Sequence, residues 1–328
     1  MSYKSKICFL ANPGGHIAQL YDIKEIVDST SRFFVTFKSA DTITMLKDEH
    51  VHFLPYHSSG KKDFLNIFIY FFPTLYQSFK IIKSEQFDKI ITTGSNLGIV
   101  FSFICFLLGK KIYFIESFSG DVTTFGRLIS KFSSKVLIQW KEQSREYKNT
   151  IYIGPLYKKV KEKSKKINSS YIYLTVGTIR HDFSRLLIKI DKLIESKKIK
   201  IPVISQIGYS SYIPQNHIHH RFVNRRLHSV LIQNAKKIIT HGGSSSIWQS
   251  LRSGNPTIIV PRLEKYDEHI NDHQLFLSKK MKEYGFCDYT KDFEDLAVLI
   301  DNAAKSDKDF NTFESASLEK LRMDLVND

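Results

Sequence analysis

The sequence predicts an α/β protein built from two Rossmann-like halves. Short apolar runs alternate with helix-like stretches throughout. Many of these runs end in glycine, and a lysine-rich segment separates two rounds of the same pattern. Strands alternating with helices imply parallel sheets covered on both faces.

The elements follow in order. Ile7–Ala11 is a short apolar strand ending at Asn12-Pro13-Gly14-Gly15-His16. A helix-like stretch runs from Ile17 to Val27, and Phe33–Phe37 is a second strand. Lys89–Thr93 is a third, closed by Gly94. Leu97–Leu108 reads as a buried helix capped by Gly109. Lys111–Glu116, Val136–Gln139 and Ile151–Ile153 are further strands. Residues 1–157 thus form a first domain, and 158–168 a basic, solvated linker.

The pattern then restarts in a second domain, 169–300. Tyr171–Val176 is a strand ending in Gly177-Thr178, Phe183–Ile194 an amphipathic helix and Ile201–Gln206 a strand. Lys236–Thr240 is a strand ending in His241-Gly242-Gly243, followed by a helix over Ser246–Arg252. Thr257–Val260 is a strand ended by Pro261. Residues 301–328 read as helical closing material. Ligands of such folds bind at the carboxyl ends of the strands.

Composition narrows the function classes. Charged residues are 25 % and hydrophobic ones 42 %, which is globular and excludes disorder. Lys plus Arg is 48 and Asp plus Glu 33, so the net charge is 48 − 33 = +15 and anionic partners are favoured. Cys8, Cys105 and Cys287 lack metal-ligand spacing and read as free thiols of a reducing compartment. No signal peptide is expected, and the longest apolar run, Leu97–Leu108, is too short to span a bilayer.

Three segments carry chemistry. In Thr240-His241-Gly242-Gly243-Ser244-Ser245-Ser246, a strand runs into two glycines and then a helix start. Such a start offers unpaired N–H groups and a positive dipole to a diphosphate; an ordinary serine-capped turn also fits. Val260-Pro261-Arg262 followed by Glu268-His269-Ile270-Asn271-Asp272-His273-Gln274 concentrates groups able to bind sugar hydroxyls or phosphate. His269 and His273 are four apart, but the HExxH order is absent, so a metal is the minor reading. Gly14-Gly15-His16 places a histidine at a glycine turn, either as a general base or as a structural cap.

Together these segments resemble bacterial capsule and exopolysaccharide glycosyltransferase pairs. They also resemble the two subunits of the dolichol-linked N-acetylglucosamine transferase, fused in one chain, and more distantly MurG with its glycosyltransferase family 28 C-terminal domain. The first half shares the glycine-glycine-histidine turn, Thr93-Gly94 and Tyr113-Phe114-Ile115-Glu116-Ser117. The second shares Thr175-Val176-Gly177-Thr178, His241-Gly242-Gly243 and the Val-Pro-Arg segment with its polar follower.

The resemblance implies a GT-B fold, two Rossmann-like domains facing across a cleft, with a UDP-sugar in the second. His241 to Ser246 would cradle the diphosphate, and the Phe222-Val223 backbone would read uracil. Asn271 to Gln274 would hold the donor sugar, with Gly177, Thr178, Arg262, Glu268 and His269 also on the donor side. Gln249 stands where relatives have a ribose-binding glutamate. Gly14, Gly15, Gly94 and Ser95 would face the acceptor. His16 is the first choice of base and Glu116 the second, for an inverting displacement with no metal and no cofactor beyond the UDP-sugar co-substrate.

The implied acceptor is a sugar on a polyprenyl diphosphate, at the inner face of the cell membrane. Lys61-Lys62 followed by Phe64 to Phe72 suits an interfacial helix on anionic lipid, or a buried helix. Three other readings stay open. One is a UDP-sugar epimerase of the same shape, and another is a non-catalytic sugar-nucleotide subunit. The third is a nucleic-acid binder using Arg221, Arg225, Arg226, His217, His219 and His220, although no nucleic-acid motif is present.

Overall fold

The computed structural model describes residues 6–27, 31–55, 64–94, 96–118, 120, 122, 124–156, 170–269, 272–304, 306, 319–323 and 325. Side chains 40, 41, 64–70, 96, 97, 124, 225 and 273 are outside that description. The chain divides into two units, Met1–Lys159 with Phe313–Asp328, and Val160–Thr312. The basic segment 158–168 lies outside the described residues.

The first unit runs β1 (Lys6–Leu10), α1 (Gly15–Asp22), β2 (Arg32–Phe37), α2 (Ala40–Met45), β3 (Val51–Leu54) and α3 (Phe64–Ser84). It continues β4 (Phe87–Thr92), α4 (Asn96–Leu107), β5 (Lys111–Ile115), α5 (Thr124–Ser130), β6 (Lys135–Ile138) and β7 (Thr150–Tyr152). The strands form one parallel sheet, ordered β3-β2-β1-β4-β5-β6-β7. Its strands are nearly continuous Ile, Val and Phe because helices cover both faces. Phe9 stacks on Phe34 with ring centroids 5.2 Å apart. Residues 319–323 and 325 return to this unit: Leu321 and Leu325 are buried in the same core as Phe9 and Ile17.

Three local readings change. The first helix stops at Asp22, and a separate 3-10 turn covers Lys24–Ile26. The edge strand β3 is a four-residue, half-buried segment too short to show periodicity. The helix expected to be buried, α4, exposes Phe103, Phe106 and Leu107 along one side.

The second unit runs β8 (Ile172–Thr175), α6 (Ser184–Glu195), β9 (Val203–Gln206), β10 (Ile218–His220), α7 (Arg225–Asn234) and β11 (Lys237–Thr240). Then come α8 (Ser244–Arg252), β12 (Thr257–Ile259), α9 (His273–Glu283), β13 (Asp288–Tyr289) and α10 (Leu296–Asn302). Its parallel sheet is ordered β10-β9-β8-β11-β12-β13. The amphipathic helix α6 buries Leu186, Leu187, Ile190 and Leu193. Each such side chain is worth roughly 1.5–3 kcal/mol.

Part of the supposed basic cluster is internal structure, while His220, Arg221 and Arg226 are exposed. The His217 side chain is fully buried between Asp191 Oδ1 (2.8 Å) and Ser205 Oγ (3.1 Å). Arg221 donates to the carbonyls of Gly208 and Ser210.

Candidate active site

Both sheets reverse strand order once, and the sequence-predicted site residues gather at those points. In the first unit the reversal lies between β1 and β4, whose register pairs Leu10 with Thr92. The residues just beyond therefore meet: His16 Nδ1 lies 3.1 Å from Thr93 Oγ1. His16 opens α1, whose N-terminus is approached through the exposed Gly14 and Gly15. Burial lowers its pKa from 6.5, and the hydrogen bond to Thr93 opposes that only in part. The positive end of a helix adds to the same direction. His16 is therefore a neutral imidazole at pH 7. With Nδ1–H donated to Thr93, Nε2 carries the lone pair a base needs.

Glu116 follows β5 and has a different fate. Its side chain is buried; Oε1 accepts from Ser117 N at 2.6 Å and Oε2 from the Tyr147 hydroxyl. Burial pushes its pKa up to about 7, against the two hydrogen bonds. Both oxygens are engaged inside the unit, which ties Glu116 to Ser117 and to Tyr147. Gly94 has φ 73°, and a Cβ there would overlap the Phe114 ring. Ser95 is outside the described residues.

In the second unit the reversal lies between β8 and β11. Register pairs Thr240 with Thr175 on one side and Ile259 on the other. The turns after these three strands therefore sit together. Gly177 has φ 77°, and a Cβ on Gly177 or Gly243 would overlap the His241 ring. His241 is held between two glycines and is buried. Burial and the neighbouring Arg262 charge push its pKa down to about 3, so it stays neutral. Gly242 brings the chain against α9, where its Cβ would lie 2.5 Å from that of Gln274.

Beyond this turn, Ser244, Ser245 and Ser246 start α8. Their N–H groups lack intrahelical acceptors, as at any helix start, and point the dipole outward. Ser245 is exposed and takes a hydrogen bond from Gln249 Nε2 at 3.1 Å; Gln249 also bonds His228. Thr178 is exposed on the loop after β8. Phe222 is half-exposed, edge-on to Tyr209 at 5.1 Å. The Val223 N–H is already donated to Gln206 Oε1 at 3.1 Å.

Two expected donor ligands are scaffold instead. Arg262 is buried, and its guanidinium donates to the carbonyls of Val176, His181, Asp182 and Glu268 at 2.7–3.2 Å. It ties the β8 loop to the β12 loop. Glu268 accepts both donors of Arg185, at 2.7 and 2.8 Å, and the Leu263 N–H at 3.0 Å. Buried charges demand such partners. Gln274 is buried and accepts from Arg262 N at 2.9 Å. His269 stacks on His181 at 6.1 Å, and Asp272 accepts from Glu264 N at 2.9 Å. Asn271 and the His273 side chain are outside the described residues.

Tyr147, Arg185 and Tyr209 had no place in the sequence reading. Tyr209 carried a signal, an aromatic after Gly208 at a strand end. Tyr147 and Arg185 act through partners 31 and 83 residues away, which no local pattern shows.

The fold defines a class: two α/β units, each built on a parallel sheet whose strand order reverses once. Residues 171–326 match the glycosyltransferase family 28 C-terminal domain. No curated protein matches it. Among solved structures it is similar to the UDP-GlcNAc 2-epimerase from Methanocaldococcus jannaschii (TM-score 0.66, 13 % identity, 98 % of this chain and 99 % of that one). It is similar to the glycotransferase of kitacinnamycin (0.63, 13 %, 98 % and 95 %). It is also similar to MurG of Acinetobacter baumannii (0.58, 14 %, 97 % and 95 %). At these identities the likeness is one of fold, the GT-B type.

Proposed function

We propose that this chain is an inverting, metal-independent transferase. It moves a hexose-type sugar from a UDP-sugar to a sugar on a polyprenyl diphosphate, in surface polysaccharide assembly. The observation that carries the reading is the His241-Gly242-Gly243 turn feeding the three-serine start of α8 at a switch point. Such a start stabilises the negative charge that develops on the departing UDP. His16 Nε2 takes the acceptor hydroxyl proton. That oxygen attacks the anomeric carbon, and UDP leaves with the electron pair of the broken bond, so the configuration inverts.

A lipid-linked acceptor asks for a membrane surface. No helix among the described residues is long and apolar enough to cross a bilayer. The adjoining helices α3, α4 and α5 instead expose Phe72, Tyr76, Phe79, Phe106, Leu107 and Phe125, with Lys80, Lys83 and Lys131 exposed on the same helices or just beyond them. Aromatic area with basic neighbours is what peripheral binding to anionic lipid uses.

The testing experiment is a thermal-shift screen with UDP, GDP, dTDP and their sugar conjugates, then transfer to a lipid-linked acceptor. A ligand of the native state raises the melting temperature. Stabilisation by UDP and one UDP-sugar, with transfer, supports the reading; no response to any nucleotide overturns it. A second reading, a UDP-sugar epimerase, draws on the fold likeness to the archaeal 2-epimerase. It requires isomerisation of the UDP-sugar without acceptor.

A further inference from the structure

A cluster at the opposite end of the first sheet has no part in sugar transfer. The site of His16 and Thr93 lies past the carboxyl ends of β1 and β4. Lys6 starts β1, His50 precedes β3, His52 is the second residue of β3, and Glu85 lies between α3 and β4. All four belong to the amino-end side of the strands or its turns.

The Glu85 side chain is 9 % exposed. Lys6 Nζ holds its Oε2 at 2.9 Å. The other oxygen, Oε1, faces two imidazoles: His52 Nε2 at 2.9 Å and His50 Nε2 at 3.3 Å. One ligand atom from each residue lies within 4.8 Å of the others. Phe33 packs edge-on to the His52 ring at 5.8 Å and limits its rotation.

We propose that His50, His52 and Glu85 form a binding site for a divalent transition-metal ion, zinc foremost. Two imidazole nitrogens and one carboxylate oxygen are a donor set that zinc takes, with water as a fourth ligand. In a tetrahedral zinc site with bonds of ~2.0–2.1 Å, neighbouring ligand atoms stand roughly 3.3–3.4 Å apart. The His50–Glu85 separation matches that edge, and His52 needs to open by a few tenths of an ångström. His50 is half-exposed, which gives the ion an entry side. Lys6 orients the carboxylate through the oxygen that the metal does not use. The bound ion would fasten the edge strand β3 to the turn leading into β4.

The competing arrangement is a carboxylate that simply accepts hydrogen bonds from both rings. Chelator-treated full chain titrated calorimetrically with zinc chloride separates the two. One equivalent per chain is expected, with affinity lowered at least ~10-fold in both His50→Ala and His52→Ala. Cobalt(II) should give the visible absorption of a tetrahedral site, lost in the same variants. His50→Ala is the safer variant, because its side chain is half-exposed; its metal-free melting temperature, unchanged from the parent, shows that folded protein is compared. No stoichiometric uptake, or uptake unaltered in both variants, overturns the proposal.

Discussion

The two switch points carry the same residue type in opposite conditions. Each has a histidine beside a pair of glycines at the end of an interior strand. His16 is half-exposed, opens its helix and has one nitrogen anchored on Thr93. His241 is buried, its ring filling the space that two missing side chains leave at Gly177 and Gly243. Both pKa values fall chiefly through burial, although His16 stays half-exposed and His241 does not. A glycine-rich turn with a histidine is therefore two devices. One leaves the ring half-exposed at a helix start, and the other packs the ring into the turn itself.

The largest effect that would break this comparison is on turnover. His16→Ala should lower kcat roughly 100- to 10,000-fold while UDP affinity stays at the parent value. In the parent, the acid limb of kcat/KM should lie below pH 6.5, since the native pKa is lowered from that value. Surviving activity in the variant would remove His16 as the base.

Glu116 sharpens the contrast on the same unit. Its native carboxyl titrates at about 7 rather than 4.5, so the native state binds the extra proton between those values. Stability of the parent should then fall as pH rises through that window, by at most about 3 kcal/mol. Glu116→Gln should abolish the fall in pH-dependent denaturant melts and retain transfer. Parallel curves for parent and variant would mean an ionised native carboxylate.

His241→Ala should cost about 2 kcal/mol of stability through the void it leaves, with weaker UDP binding as the turn loosens. A variant that is stable and binds UDP normally but does not turn over would reverse the roles of the two histidines. The smallest effect expected is that of Thr93→Val. Losing one orienting hydrogen bond should lower kcat roughly tenfold with KM unchanged. A loss of UDP binding instead would place Thr93 elsewhere in the scheme.

Much of this was legible along the chain because it is local. Strand-glycine-helix turns at Gly14–His16, Gly177-Thr178 and His241–Ser246 announce themselves by short-range pattern. The same is true of the amphipathic α6 and the apolar β1, β5 and β11. Chain pattern also put Arg262 and Glu268 near the second switch point.

It could not say what those side chains face. A guanidinium answers to whichever acceptors the fold brings near, and for Arg262 these are carbonyls from two loops. A carboxylate's pKa depends on the water removed around it, and the Tyr147 ring that closes over Glu116 comes from 31 residues away. The strand order decided that His16 meets Thr93, across 77 residues of chain. It decided equally that His50, His52 and Glu85 converge on one oxygen. Sequence by itself determined the elements, since backbone propensity and periodicity are properties of neighbours. Burial and partnership are properties of the packed sheet, and only the tertiary structure decided that His16 meets Thr93 while His241 fills the space beside two glycines.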